Sequence, residues 1–248
     1  MKLAALFSVY NGLELLPKSI SNIRPCVDEI IIGYQTVSNT FQTDFNVEKV
    51  ALETGLPVVK FSPNPSKNTK ENEFDKHNLM IEKARSLGVT HFLMMATDHF
   101  YFQHEFNEAK KKAIQHDVTF TSMYTYYKYP TWQLTTIENY LMPFICELKP
   151  CTKFDRVSNY PFRVDPSLKI ASVNPYVFTK DEIMMHHYSM IRTDIKNKFE
   201  NAAASIRWST EQKQKFVSEY ENYSLENNFG ISYFQGAKVK EVENYFGI

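Results

Sequence analysis

The stretch Thr90–Phe102, THFLMMATDHFYF, decides how this chain is read. Its apolar run Phe92–Met95 leads to a single acid, Asp98, followed by His99 and three aromatic residues. A short continuous apolar run between polar flanks predicts an inner parallel strand covered on both faces. Ligands of open α/β sheets sit just beyond the carboxyl ends of such strands. An acid there can hold a divalent cation against a ligand's phosphates. An isolated Asp more often just opens a surface turn. Here the order of elements before it and the pair His186-His187 after it favour a site.

Working backwards, strands and helices alternate. Leu3–Val9, Glu29–Tyr34 with its Ile30-Ile31-Ile32 core, and Leu56–Phe61 read as strands. Leu13–Ile23, with Pro17 in its first turn, reads as a helix. So do Val47–Thr54, stopped by Gly55, and Glu73–Leu87, closed by Gly88. Ser62–Asn72, with two prolines, is expected to be a loop. This alternation predicts an α/β fold with a mostly parallel central sheet flanked by helices and right-handed crossovers. Working forwards, the order is less regular. Glu105–His116 is expected to be helical and Val118–Tyr129 β. Thr136–Leu148 is expected to be a helix interrupted near Pro143, and Pro150–Pro175 irregular. Asp181–Lys198, carrying the His pair, and Thr210–Tyr220 are expected to be helices. No linker or repeat divides the chain, so 1–248 is expected to form one domain, with 1–102 and 103–248 as two functional halves.

The composition excludes some classes. The chain has 248 residues, 43% hydrophobic and 23% charged, with formal net charge zero. These values fit an ordinary globular protein and argue against a polyanion-coating one. Only 7 glycines are present, leaving little material for Gly-rich phosphate loops. Cys26, Cys146 and Cys151 have no metal-type spacing, so a reduced, cytoplasmic setting is expected. The apolar stretch Leu3–Phe7 is too short for a signal peptide. No segment reaches the ~20 apolar residues of a membrane span.

Several groups of residues could carry chemistry. Ser8-Val9-Tyr10-Asn11-Gly12 ends the first strand and could face a nucleotide, although Asn-Gly is also an ordinary turn signal. Lys76 and Asn78, near the start of a helix, could reach phosphates or support the neighbouring strand end. Of the pair His186-His187, at most one should enter a site, because adjacent residues on a helix point ~100° apart. A neutral ring nitrogen of His187 could join Asp98 around a cation. The basic segment from Arg192 to Lys215, with Lys196 and Trp208 inside it, could bind a diphosphate or a nucleic-acid backbone. Such a run is more often a solvated face. The tract Tyr124, Tyr126, Tyr127, Tyr129 and Trp132 suits sugar rings or bases, or simply a packed strand. Walker A, G-x-S-x-G, H-E-x-x-H and Rossmann G-x-G-x-x-G motifs are absent.

Together LAALFSVYNG, KHNLMIEKARSLGVTHFLMMATDHFY and HHYSMIR resemble the GT-A-type glycosyltransferases of the broad family-two kind. The resemblance covers Lys2–Phe102 and returns at the His pair. It implies a GT-A-like (Rossmann-like) nucleotide-sugar-binding half, 1–102, and an irregular acceptor-binding half, 103–248. The family's D-x-D motif reads Ala96-Thr97-Asp98, so the first acid is replaced. His99 stands where an acid is common, and Gln35 lies nearest the usual base-binding Asp. By resemblance, Asp98 and His187 would hold Mn²⁺ or Mg²⁺ on the diphosphate. Ser8, Tyr10, Asn11 and Gln35 would line the nucleotide. Lys76, Asn78, Arg192 and Lys196 would face the phosphates. Glu138 and Asp165 are candidate general bases by position. The implied partners are a nucleotide-diphosphate sugar donor and a hydroxyl acceptor. That acceptor could be a glycan or small molecule, or a hydroxymethylated DNA base if the protein is phage-encoded and works in host cytoplasm. A non-catalytic nucleotide-sugar or glycan-binding module and a nucleotidyltransferase are the alternatives.

Overall fold

The computed structural model describes residues 1–158, 160–201 and 205–248. The first hundred residues alternate as expected. β1 (Leu3–Val9), α1 (Leu16–Ile23), β2 (Glu29–Gln35), α2 (Asn46–Glu53), β3 (Val58–Phe61), α3 (Thr69–Ser86) and β4 (His91–Ala96) follow in order. β2 joins β1 and β3, and β4 joins β1, all in parallel. The apolar runs of β1, β2 and β4 are buried throughout, as inner parallel strands must be.

Beyond β4 the sheet becomes mixed. Next come β5 (His99–Phe100), α4 (Gln103–Ala113), β6 (Val118–Tyr127), β7 (Trp132–Leu134), β8 (Met142–Glu147), β9 (Pro175–Val177) and β10 (Met184–Met190). α5 (Ile195–Asn201), α6 (Thr210–Asn222) and β11 (Val239–Glu241) complete the chain. The sheet path runs β11-β7-β6-β8-β4-β1-β2-β3. β8 lies antiparallel to β4 and to β6. β9 and β10 add parallel to β6, and β5 pairs antiparallel with β10. The result is an α/β protein whose central sheet carries flanking helices.

Three expectations change. Thr136–Leu148 is not a helix, because Met142–Glu147 forms β8. Its Pro143 would have removed a helical hydrogen bond, and it sits where the β6–β8 register is irregular. The His pair lies on a strand, not a helix. Met184–Met190 is buried at nearly every position, a doubly covered strand with no 3.6-residue period. The loop before α3 ends at Asn68, not Asn72. Asn68 caps the helix by accepting from the Glu71 backbone N–H at 3.0 Å, while Glu71 reaches back to the Asn68 N–H at 3.1 Å.

α3 packs on β1, β2 and β3, and glycine sets how closely. A Cβ at Gly33 would stand 2.1 Å from Met80 Sδ and 2.6 Å from its Cγ. Met80 is fully buried and has little room to swing aside. Gly33→Ala should therefore cost ~1–3 kcal/mol through overpacking. That corresponds to a fall in Tm of about 2–4 °C per kcal/mol. Thermal melts of Gly33→Ala, Met80→Ala and the double variant check this. The double should lose less than the sum of the singles, because truncating Met80 vacates the space that the new methyl needs.

Candidate functional site

After β1 the chain builds outward through β2 and β3, then crosses back to place β4 on the other side of β1. The strand order thus reverses between β1 and β4, and a crevice opens beyond the carboxyl ends at such a point. Ser8 and Ala96 sit level in the register there. A cavity of about 390 Å³ lies over these ends. Its floor is Ser8, Tyr10, Asn11 and Ala96–His99. Its walls come from the loop after β2 (Ser38, Asn39), the first turns of α3 (Thr69, Lys70, Glu73, Lys76), Asp165–Ser167, His187, and Lys198, Asn201 and Arg207.

Asp98 is the centre of the site and only 3% exposed. Its Oδ2 accepts from Arg192 Nη2, and the guanidinium also donates to Tyr188 O at 3.2 Å and Ile191 O at 2.9 Å. Burial alone would raise the Asp98 carboxyl. Arg192, helped by His187 and Lys198, outweighs it and holds the group well below the usual carboxylate range. Gly12 makes this packing possible. At φ 71°, a Cβ there would lie 2.6 Å from Thr97 Oγ1 and 2.9 Å from Arg192 Nη2. The other oxygen, Oδ1, is buried with no hydrogen-bond partner. It faces His99 Nε2 at 3.7 Å and His187 Nε2 at 3.9 Å.

Strand pairing brings the histidines together. His187 stands opposite His99 in the β5–β10 pair, with ring centroids 5.3 Å apart. Alternation along β10 sends His186 the other way. There Tyr126 OH contacts His186 Nδ1 at 2.7 Å, and Phe102, Tyr124 and Phe246 enclose the ring. Burial pushes His186 down to about 4, leaving a neutral packing residue. The next residue but one, Tyr188, is fully buried, stacks on Tyr126 at 4.1 Å, and donates its backbone N–H to Asp98 O at 2.8 Å.

On the opposite wall, Lys76 is buried and donates to Gln35 Oε1 at 3.1 Å and Glu73 Oε1 at 3.0 Å. Gln35 Nε2 donates to Val37 O at 2.9 Å. Burial would raise the Glu73 carboxyl, but Lys76 and His77 overcome that and lower it. At the rim, Asn201 of α5 meets the loop after β2. Thr40 Oγ1 donates to its Oδ1 at 3.2 Å, and its Nδ2 donates to Gln42 Oε1 at 2.9 Å.

Of the residues singled out in the sequence, Ser8, Tyr10, Asn11, Gln35 and Lys76 gather at the cleft with Asp98, Asp165 and His187. Asn78 does not join them. Its amide exchanges hydrogen bonds with the Phe154 backbone at 3.0 and 2.8 Å. Lys196 lines a separate groove with Lys213, Glu200 and Glu221. Arg192 lies beneath the cleft, paired to Asp98. Asp165 caps the turn at Pro166–Leu168 through Ser167 N at 2.8 Å and Ser167 Oγ at 2.7 Å. Glu138 Oε1 lies 3.5 Å from His187 Nδ1 and accepts from Thr125 Oγ1. Burial would raise its carboxyl; the contacts to His187 and Thr125 lower it instead. Thr69, Lys70 and Glu73 were missed, whereas Lys198 and Arg207 belong to the basic segment Arg192–Lys215. The Asn68-x-x-Glu71 cap signal would have placed the first three in the first turns of α3.

The basic segment does not form one face. Arg192 is buried, Lys198 and Arg207 enter the cleft, and Lys215 reaches Glu219 at 3.7 Å. Desolvation and the Arg192 charge push the Lys198 ammonium down to about 8.

One donor atom each from Asp98, His99 and His187 lies within 4.8 Å of the others. His99 Nδ1 accepts the Ala96 N–H at 3.2 Å, so the neutral ring carries its proton on Nε2. Burial pushes His99 down to about 3 and keeps it neutral. A protonated ring nitrogen cannot ligate a cation. The donors that fit a divalent ion are therefore the unpartnered Asp98 Oδ1 and His187 Nε2, with Glu138 behind His187 at its other nitrogen.

No family model matches the chain, and no curated protein matches it in sequence. Solved structures match it in three dimensions, at low identity. S. aureus TarS 1–349 in complex with UDP-GlcNAc is 12% identical, with a TM-score of 0.48 over 90% of this chain and 72% of that one. The UDP complex of TarS 1–349 is 11% identical, with a TM-score of 0.49 over 90% and 71%. A CMP:2-keto-3-deoxy-manno-octonic acid synthetase complexed with CTP is 9% identical, with a TM-score of 0.36 over 60% and 75%. At these scores the likeness carries no weight for activity, which must be read from the residues.

The Asp98–Arg192 pair yields a stability test. Removing one partner of a buried pair leaves an uncompensated charge and costs about 3–5 kcal/mol. Arg192→Met should melt far below wild type, and Asp98→Asn/Arg192→Met should recover part of the loss. The Asp98 carboxyl is lower in the folded chain than its unfolded value of ~3.9. Its stabilisation is therefore complete above that value and is lost as pH falls below it. Denaturant melts between pH 3 and pH 6 should show a shallower acid slope in the double variant.

Proposed function

We propose that the chain is a glycosyltransferase that moves a sugar from a nucleotide-diphosphate sugar to a hydroxyl acceptor. The observation that carries this reading is Asp98. It is a buried carboxylate at the switch point, with one oxygen neutralised by Arg192 and the other unpartnered toward His187 and the cleft. Around it the cleft presents Lys70, Lys76, Lys198 and Arg207, a set suited to a diphosphate.

Ser8, Tyr10, Asn11 and Gln35 would hold the nucleoside, and Lys198 and Arg207 the phosphates. Asp98 and His187 would hold the cation, and their mixed oxygen and imidazole donors favour Mn²⁺ over Mg²⁺. When bound, the ion neutralises charge that develops on the leaving diphosphate. In the transfer, the bond from the anomeric carbon to the phosphate oxygen breaks. The acceptor oxygen bonds to that carbon, and its proton passes to a base. Asp165 opens onto the cleft and suits that role in an inverting reaction. Glu138, bonded to Thr125 and 3.5 Å from the unpartnered His187 Nδ1, would act as a positioning residue for the imidazole. With the basic segment broken up, the acceptor favoured is a glycan or small hydroxyl compound rather than a base in DNA.

A donor-hydrolysis screen across nucleotide sugars, with and without Mn²⁺, tests the reading. Released nucleoside diphosphate supports it. In a parallel assay with nucleoside triphosphate and a sugar phosphate, released pyrophosphate would indicate a nucleotidyltransferase. The Arg192 charge already on Asp98 favours one rival, a non-catalytic nucleotide-sugar-binding module, which would bind UDP and release nothing.

Asp98→Asn and His187→Ala should each lower turnover about a hundred- to a thousandfold, ~3–4 kcal/mol. The double variant should lose little more than the worse single, because the groups act as a unit. Glu138→Gln should weaken Mn²⁺ binding ~10–100-fold, measured by electron paramagnetic resonance. His186→Ala should leave the Mn²⁺ affinity unchanged. Near wild-type turnover in Asp98→Asn removes the metal role.

Lys198 gives a pH dependence. Its ammonium is charged below about 8 and loses its proton above. UDP affinity measured calorimetrically in EDTA should fall from pH 7 to pH 9.5. Lys198→Arg should remove that fall, because a guanidinium stays charged across the range.

A further inference from the structure

A second groove, of about 850 Å³, lies beside the cleft and is larger than it. Trp208, Phe216, Tyr233 and Phe234 line it with half-buried rings, while Thr136, Asn139 and Gln235 stand exposed on its rim. Gln235 holds φ 56° without being glycine, and Gly236 follows at φ 86°. The tight turn that they make brings Gln235 to the groove. At the inner end stand Glu138 and Tyr140. Tyr140 also lines a smaller cavity of about 220 Å³, shared with Asp165, His99 and His187. Tyr140 thus borders both the groove and the cavity that holds Asp165, His99 and His187.

We propose that this groove is the acceptor subsite and that it binds a neutral carbohydrate, a proposal that rests on the transferase reading above. Sugar rings present C–H faces that pack on the electron-rich faces of aromatic rings, and hydroxyls that bond to rim amides and hydroxyls. A few polar groups on an aromatic lining, within ~300–1,000 Å³, is the usual build of a small-ligand pocket. The charged lining residues are Glu138, Arg163 and Lys238. Mixed in sign, they give no continuous track for a phosphate backbone. A sugar lying on Trp208 and Tyr233 has its far end directed past Tyr140 toward Asp165, where a hydroxyl meets the donor.

Saturation-transfer NMR on the intact chain tests this, with maltotriose and N,N′,N″-triacetylchitotriose as probes and UDP titrated in parallel. At least one trisaccharide should bind saturably. Trp208→Ala should weaken it about tenfold, or ~1.4 kcal/mol, leaving UDP affinity unchanged. Thr136→Trp, at an exposed rim position, should block the sugar in a chain that melts like wild type. This variant keeps the test decisive if Trp208→Ala fails to fold. Saturable UDP binding with neither sugar bound overturns the groove and spares the donor cleft. Sugar binding that survives in Thr136→Trp also overturns it. Sugar binding lost in Thr136→Trp, with no UDP binding in wild type, upholds the groove as a carbohydrate site and removes the transferase reading.

Discussion

The buried ion pair between Asp98 and Arg192 is the joint on which the site depends. Asp98 comes from the turn after β4, and Arg192 from the end of β10, 94 residues later. The pair is sequestered from water, so its attraction is little screened, but each member would be costly alone. The guanidinium spends its other donors on Tyr188 and Ile191 carbonyls, fixing the end of β10 against the end of β4. Gly12 completes the joint, because a side chain there would intrude on both Thr97 and Arg192. Three strand ends from distant parts of the chain are thus held at one point.

That joint divides the charge of the cleft. Arg192 occupies one Asp98 oxygen from below, so the oxygen left toward the cavity belongs to a largely compensated carboxylate. Across the cavity Lys76 is matched by Glu73 and Gln35 in the same way. Among the described residues, the cleft cations outside such a pair are Lys70 on α3, Lys198 on α5 and Arg207 in the turn after it. The site is therefore an internally balanced base with a cationic upper wall. Such an arrangement leaves no buried charge stranded when the cavity is empty.

The parallel half was legible because inner strands are apolar throughout and Gly and Pro punctuate the helices. Phe92–Met95, Ile30–Ile32 and Leu3–Val9 could be read almost residue by residue. The second half misled for a physical reason. Met184–Met190 is covered on both faces, so it lacks the alternation that separates a strand from a buried helix. Pro143 was a warning in Thr136–Leu148 that a strand, not an interrupted helix, was present. In the site, Asp98, Ser8, Asn11 and Lys76 were legible from strand and helix ends. Asn78 and Lys196 were not, since their direction depends on loops and helix rotation. The capping box at Asn68 lay in plain sight, and overlooking it hid Thr69, Lys70 and Glu73.

The order Met184-Met185-His186-His187 in β10 bears on folding fidelity. A strand shifted by one residue exchanges its two faces. Here a slip that moves His186 into the place of His187 would also move Met185 into the place of His186 and Met184 into that of Met185. An imidazole would still reach the cleft, and an apolar side chain would enter the nest around Tyr126. Over these four residues the two alignments are nearly degenerate. Tyr188 breaks the tie, because the slip would replace its fully buried ring, stacked 4.1 Å from Tyr126, with an imidazole. The stack, remote from the cleft, is what decides which of two identical neighbours faces Asp98.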